Sequence, residues 1–220
     1  MKTNLFHLIT ICCFLLLLQN TAHSQVDNPD KDVNGELYGN PYIIKDWSEG
    51  LVKFTSGRVL NQFKLRFDCV RNQLVLQFQG STFAAESKVK EFVMYTGSGK
   101  KKDSLVFRKG YPAIDKGNEH TFYQVLFEGK TQLLRLIAKN VIEEKELIAS
   151  SRARGRLEEE EKYYLLKEGA MILLPPDRAQ ILNALPAQAT ALAQFITDNN
   201  LRFRTQADYI QLAKKYNELL

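Results

Sequence analysis

The chain has 220 residues, 45% hydrophobic, 25% charged and 10% aromatic, with 30 Lys and Arg against 25 Asp and Glu for a net charge of +5. That balance belongs to chains that bury a core, and it excludes the disordered and collagen-like classes. The positive charge is mild and spread along the sequence, which argues against nucleic acid as a partner.

Residues 1–24 have the parts of a secretory signal peptide: Lys2 at the start, an apolar run from Leu5 to Leu18 broken only by His7 and Thr10, and the small-x-small site Ala22-His23-Ser24 before Gln25. Cys12 and Cys13 lie inside the run rather than after it, which is the wrong place for a lipidated cysteine. The expected product is exported, periplasmic or extracellular, with no transmembrane span after cleavage. Of three cysteines and three histidines it keeps only Cys69 and His120. A disulfide within the chain and a histidine-based zinc site are thereby excluded.

Residues 25–40 are polar and turn-rich, with Pro29, Gly35 and Gly39 among three aspartates and a glutamate, and are expected to form a flexible mature N-terminus. Residues 41–174 read as a β-rich body. Tyr42–Ile44 and Leu51–Phe54 flank a turn, and Phe63, Leu65 and Phe67 alternate with Lys64 and Arg66. Leu74, Leu76 and Phe78 alternate in the same way, so each segment shows one apolar face. Val89–Tyr95, Leu105–Phe107, Thr121–Phe127 and Leu133–Lys139 continue the series between Gly-containing turns. Residues 149–161, with Arg152, Arg154 and Arg156 before Glu158–Glu161, have no apolar face and are expected to be a charged loop. A last hairpin turns at Gly169.

After Pro175-Pro176 the apolar spacing becomes helical, so residues 175–220 are expected to form a helical tail docked on the body. Asp177 is placed to cap one helix, Pro186 to open a second that ends at Asn199-Asn200, and Thr205 to cap a third. The predicted class is α+β: an antiparallel, strongly curved β-sheet or roll followed by two or three C-terminal helices.

Gly39-Asn40-Pro41-Tyr42 before a strand, Leu65-Arg66-Phe67-Asp68 with Asn72-Gln73-Leu74 in a hairpin, Phe122-Tyr123 through Glu128-Gly129-Lys130, and Leu174-Pro175 opening the tail form a set. In these features the chain resembles a family of exported, functionally uncharacterised proteins of Bacteroidota-type bacteria. The resemblance carries over no activity and no catalytic or binding residue.

Local motifs offer little chemistry. Asp30-Lys31-Asp32-Val33-Asn34-Gly35 matches the first half of a calcium loop, but the closing position is Pro41 instead of an acid, and a polar leader is the expected object. Gly97-Ser98-Gly99-Lys100 lacks the first glycine and the closing hydroxyl of a phosphate loop and reads as a basic hairpin tip. His120, beside Glu119, is expected in an exposed turn, and Cys69 as a packed thiol. Phe63, Phe67, Phe78, Phe92, Phe122 and Phe127 sit at strand spacing, as core or as the lining of an apolar cavity. No residue is singled out as catalytic, cofactor-binding or metal-ligating. The expectation is a non-enzymatic binding or interaction module of the cell envelope, its partner an envelope protein or an apolar ligand. The alternatives are a β-barrel-like carrier of an apolar ligand and a hydrolase.

Overall fold

The structure is a computed structural model and describes residues 37–85, 87–97, 103–144 and 154–220. Its strands are β1 (Leu37–Tyr38), β2 (Ser48–Phe54), β3 (Val59–Leu60), β4 (Lys64–Asp68), β5 (Gln73–Phe78) and β6 (Ser81–Ala84). They continue with β7 (Val89–Thr96), β8 (Asp103–Arg108), β9 (Tyr123–Glu128), β10 (Gln132–Glu144), β11 (Arg154–Lys167) and β12 (Ala170–Leu174). Three helices follow, α1 (Arg178–Ala184), α2 (Ala189–Asp198) and α3 (Gln206–Glu218). The sheet runs β1-β11-β10-β9-β8-β7-β2-β4-β5-β6, with β3 beside β2 and β12 beside β11. The path is open, and among the described strands only the β1–β11 pairing is parallel.

The sheet curls until its far part meets its middle. Asn72, in the β4–β5 turn, accepts from the Phe122 N–H at 2.7 Å and donates to the Phe122 carbonyl at 3.0 Å, while Lys139 N–H of β10 donates to the Cys69 carbonyl. Inside the curl, Phe67, Phe92, Phe107 and Phe122 pack with Leu65, Leu74 and Ile137. The helices cover one face of β9–β12, where Leu133, Tyr163 and Leu165 meet Ile181, Leu192, Ile196 and Leu212. On the opposite face the loop after β8 brings Tyr111 against Tyr123, Leu134 and Tyr164. The α+β class and the curved antiparallel sheet followed by C-terminal helices are therefore as the sequence implies.

Cap chemistry sets the tail. Asp177 accepts from the Gln180 N–H at 2.8 Å, Thr205 from the Asp208 N–H, and Asn200 at φ +49° ends α2 with the Leu201 N–H donating to the Ile196 carbonyl. Pro186 opens a short 3-10 turn, Pro186–Gln188, ahead of α2.

Two expectations need correction. The sequence predicts a flexible leader through residue 40, but Leu37–Tyr38 is a strand, because β11 offers it an edge at Gly155 and Arg156. The signal peptide, the calcium-like motif and most of the basic hairpin tip lie outside the described residues. The charged loop drawn over 149–161 is instead strand from Arg154 onward, paired with β10 in continuous register from Gln132↔Leu166 to Glu144↔Arg154. Charged residues fall on both of its faces there, so hydrophobic alternation could not reveal it. Cross-strand and same-strand partners hold it instead: Arg135–Glu161 at 3.0 Å, Lys139–Glu159 at 3.7 Å and Lys162–Glu160 at 3.5 Å.

Candidate functional site

Strand β11 is much longer than its neighbours on one side. β1 pairs with it at Gly155–Arg156 and β12 at Tyr163–Lys167, so among the described residues nothing pairs with Leu157–Lys162 along that edge. The slot is about 20 Å long at the usual strand rise. Sequence-local devices close both of its ends. Gly39 at φ +134° turns the chain away after β1, and a Cβ there would crowd the Leu157 side chain at 3.1 Å. At the other end, Pro175-Pro176 follow Leu174 directly, and proline cannot donate to a ladder.

Hairpin geometry gives the direction of the backbone groups in the slot. Glu168 and Gly169 form the two-residue turn between β11 and β12 with φ +49° and +79°, which makes Lys167 and Ala170 the closing hydrogen-bonded pair. Alternation along β11 then turns Tyr163 and Leu165 toward β12 and aims the N–H and C=O of Glu159 and Glu161 into the slot.

At its β12 end the slot opens into a cavity of about 370 Å³ whose walls include Tyr163, Pro176, Phe203, Arg204 and Tyr209. Tyr163 stacks on Tyr209, and Phe203 tilts against Tyr209 with centroids 5.4 Å apart. Phe203 is held at φ +55°, an unusual conformation for so bulky a residue, and the Tyr209 hydroxyl donates to its carbonyl at 3.3 Å. Burial, and then the nearby Asp208, push the Tyr209 phenol up to about 12. Arg204 is exposed, and its guanidinium has no partner among the described residues.

Beneath the cavity runs a polar chain. The Arg135 guanidinium donates to Gln124 Oε1 through Nε and Nη2 and to Glu161 Oε1 through Nη1, and the Tyr163 hydroxyl donates to Glu161 Oε2 at 2.6 Å. Burial and the hydrogen bond to Glu161 raise the Tyr163 pKa, so the phenol stays protonated as a donor. Both Glu161 oxygens are thus engaged inside the protein. The chain braces the slot and presents neither a free base nor a nucleophile.

The residues weighed from sequence lie elsewhere. His120 is exposed in the loop before β9, 3.6 Å from Glu119, as expected. Cys69 is buried in the curl, where burial pushes its thiol up to about 12 despite Lys139. Among the described residues no three His, Cys, Asp or Glu side chains group as metal ligands. Phe67, Phe92, Phe107 and Phe122 are core, while Phe63 forms a half-buried edge cluster with Phe78 and Phe83. The slot itself escaped sequence reading; its one signal is the double proline, which stops β12 while β11 continues. Compared with known proteins, the chain matches no family model, no curated protein and no solved structure.

Proposed function

We propose that this chain is an exported, non-catalytic binding module of the cell envelope that takes an extended polypeptide segment as an added strand on β11. The observation that carries the reading is the stretch Leu157–Lys162 between β1 and β12, whose outer edge pairs with nothing among the described residues and opens into an aromatic cavity at one end. Main-chain hydrogen bonds to Glu159 and Glu161 supply affinity in such docking, and a side-chain pocket supplies selectivity. The carrier alternative has less support, since Phe92 and Phe107 stack at 4.8 Å and Phe67 lies 4.6 Å from Phe107, filling the interior of the curl.

A displayed peptide library selected on the mature protein tests this. Enriched peptides are expected to slow amide exchange at Glu159 and Glu161 and to lose binding to Glu159→Pro. Proline is tolerated where an edge N–H faces outward, so that variant keeps its fold. Peptides that bind while both amides exchange as in the free protein would overturn the proposal.

A further inference from the structure

We infer that the strand docking on β11 alternates basic and apolar residues, with lysine or arginine on the face of Glu158 and Glu160 and an aromatic side chain on the face of Tyr163. This rests on the strand-addition reading and adds the chemistry of the partner.

The two faces of the slot differ in charge. On the helix side, Glu159 and Glu161 are answered by Lys139 and Arg135 of β10, so those two carboxylates already have cations beside them. On the opposite face Glu158 has no charged partner among the described residues, and Glu160 shares the single cation Lys162, which also lies 3.9 Å from Asp115. A strand added at this edge places alternate side chains directly beside those two carboxylates, where like charge is unfavourable and opposite charge stabilises. The side chain opposite Glu161, next in line after the one opposite Glu160, falls on the helix side next to the cavity. That cavity is built from the rings of Tyr163, Phe203 and Tyr209, with the Arg204 guanidinium, which has no partner among the described residues, at its wall. An aromatic ring fits this surface on both counts, stacking edge-to-face on the tyrosines and facing the cation of Arg204. The register of a strand thus couples a basic-apolar-basic pattern to one position.

The test uses three capped, labelled peptides and fluorescence anisotropy with the mature chain. The first alternates lysine with phenylalanine and valine, the second replaces each lysine by glutamate, and the third is the lysine peptide N-methylated at alternate amides. The lysine peptide is expected to bind roughly fivefold to tenfold tighter than the glutamate peptide, as two cross-strand ion pairs allow. That preference should disappear in the Glu158→Gln/Glu160→Gln double variant, whose changes are exposed and leave the fold intact. Equal binding of the lysine and glutamate peptides, with loss of binding on N-methylation, overturns the basic-partner inference and leaves strand addition standing. Binding that survives N-methylation, or no binding by any peptide, overturns strand addition itself.

Discussion

The ring of Tyr163 lies flat on that of Tyr209, with centroids 3.8 Å apart and planes 6° from parallel. One ring comes from β11 and the other from α3, so the contact fixes the helical tail to the strand that carries the open edge. Each ring also has a polar duty: Tyr163 donates to Glu161 and Tyr209 to the carbonyl of Phe203. The stack therefore sets the position of the cavity wall as well as the docking of α3.

Substitutions at Tyr209 separate these duties. Tyr209→Phe keeps the stack and loses one buried hydrogen bond, an expected cost of about 1 kcal/mol. Tyr209→Ala removes the ring and is expected to cost about 3 to 5 kcal/mol. Urea denaturation of the two variants checks the order. Equal midpoints would mean that the hydroxyl on Phe203, and not the stack, holds the tail.

Closure of the curl depends on Asn72, which sits at φ +51° and satisfies both backbone groups of Phe122. Asn tolerates the left-handed region, so Asn72→Asp keeps the local backbone but replaces the amide donor by a second acceptor facing the Phe122 carbonyl. The expected loss is about 1 to 3 kcal/mol at neutral pH. It should shrink in acid as the new carboxyl protonates and regains a donor. A loss that does not change with pH would show that the two residues are not coupled.

Gly117 and Tyr123 make an opposed pair. A Cβ at Gly117 would run into the Tyr123 hydroxyl oxygen, and that hydroxyl is buried without a hydrogen-bond partner among the described residues. Gly117→Ala alone is expected to cost about 1 to 3 kcal/mol through overpacking. Tyr123→Phe alone should be neutral or stabilising, because it removes an unsatisfied polar group. The double variant should be more stable than Gly117→Ala alone, and thermal melts of the four proteins measure the coupling. Additive effects would place the strain elsewhere.

What the sequence makes legible follows from where each residue spends its side chain. Alternation in Lys64–Asp68 and Gln73–Phe78 is readable because one face of each strand is buried in the curl. The same rule misreads Arg154–Glu161, where Glu159, Glu160 and Glu161 find partners on β10 instead of a core, so its strand character comes from pairing that no local pattern encodes. Asp177 and Thr205 cap their helices as their types suggest, since capping is a local bond. The cavity is not legible, because Tyr163, Phe203 and Tyr209 come from three segments and meet only through the docking of α3.

Alkaline pH should weaken the fold in a manner traceable to Cys69. Its thiol rises from 9.0 to about 12 in the folded chain, chiefly by burial. A raised acid pKa means that the folded state keeps a proton the unfolded chain releases, so this contribution is intact below about pH 9 and is lost as pH climbs toward 12. Buried phenols such as Tyr164 act with the same sign at higher pH. Melting temperature should therefore fall above pH 9. Cys69→Ala, less stable at neutral pH because of the cavity it leaves, should lose stability less steeply over that range. Parallel curves for the two proteins would remove the thiol from the account.

The helical tail offers the sharpest test of the architecture, because two neighbouring apolar residues on α2 have different surroundings. Leu192 is fully buried among Ile181, Leu212 and the sheet, whereas Phe195 is only partly buried, with the Lys215 ammonium 5.8 Å from its ring. The apolar stripe in the sequence places both on one face; the structure ranks them. Leu192→Ala empties a closed site, where losses run to about 2 to 5 kcal/mol, a large share of a domain's marginal stability. Phe195→Ala removes a ring that water already reaches and should cost clearly less. Glu158→Ala on the exposed arm should stay within about 0.5 kcal/mol of wild type. Chemical denaturation followed through Trp47, the single tryptophan and one that lies in the β body, reads the tail's effect on a distant region. If Leu192→Ala left the Trp47 midpoint unchanged while helical signal melted earlier, the tail and the body would unfold as separate units, and the cavity between β11 and α3 would open without loss of the sheet.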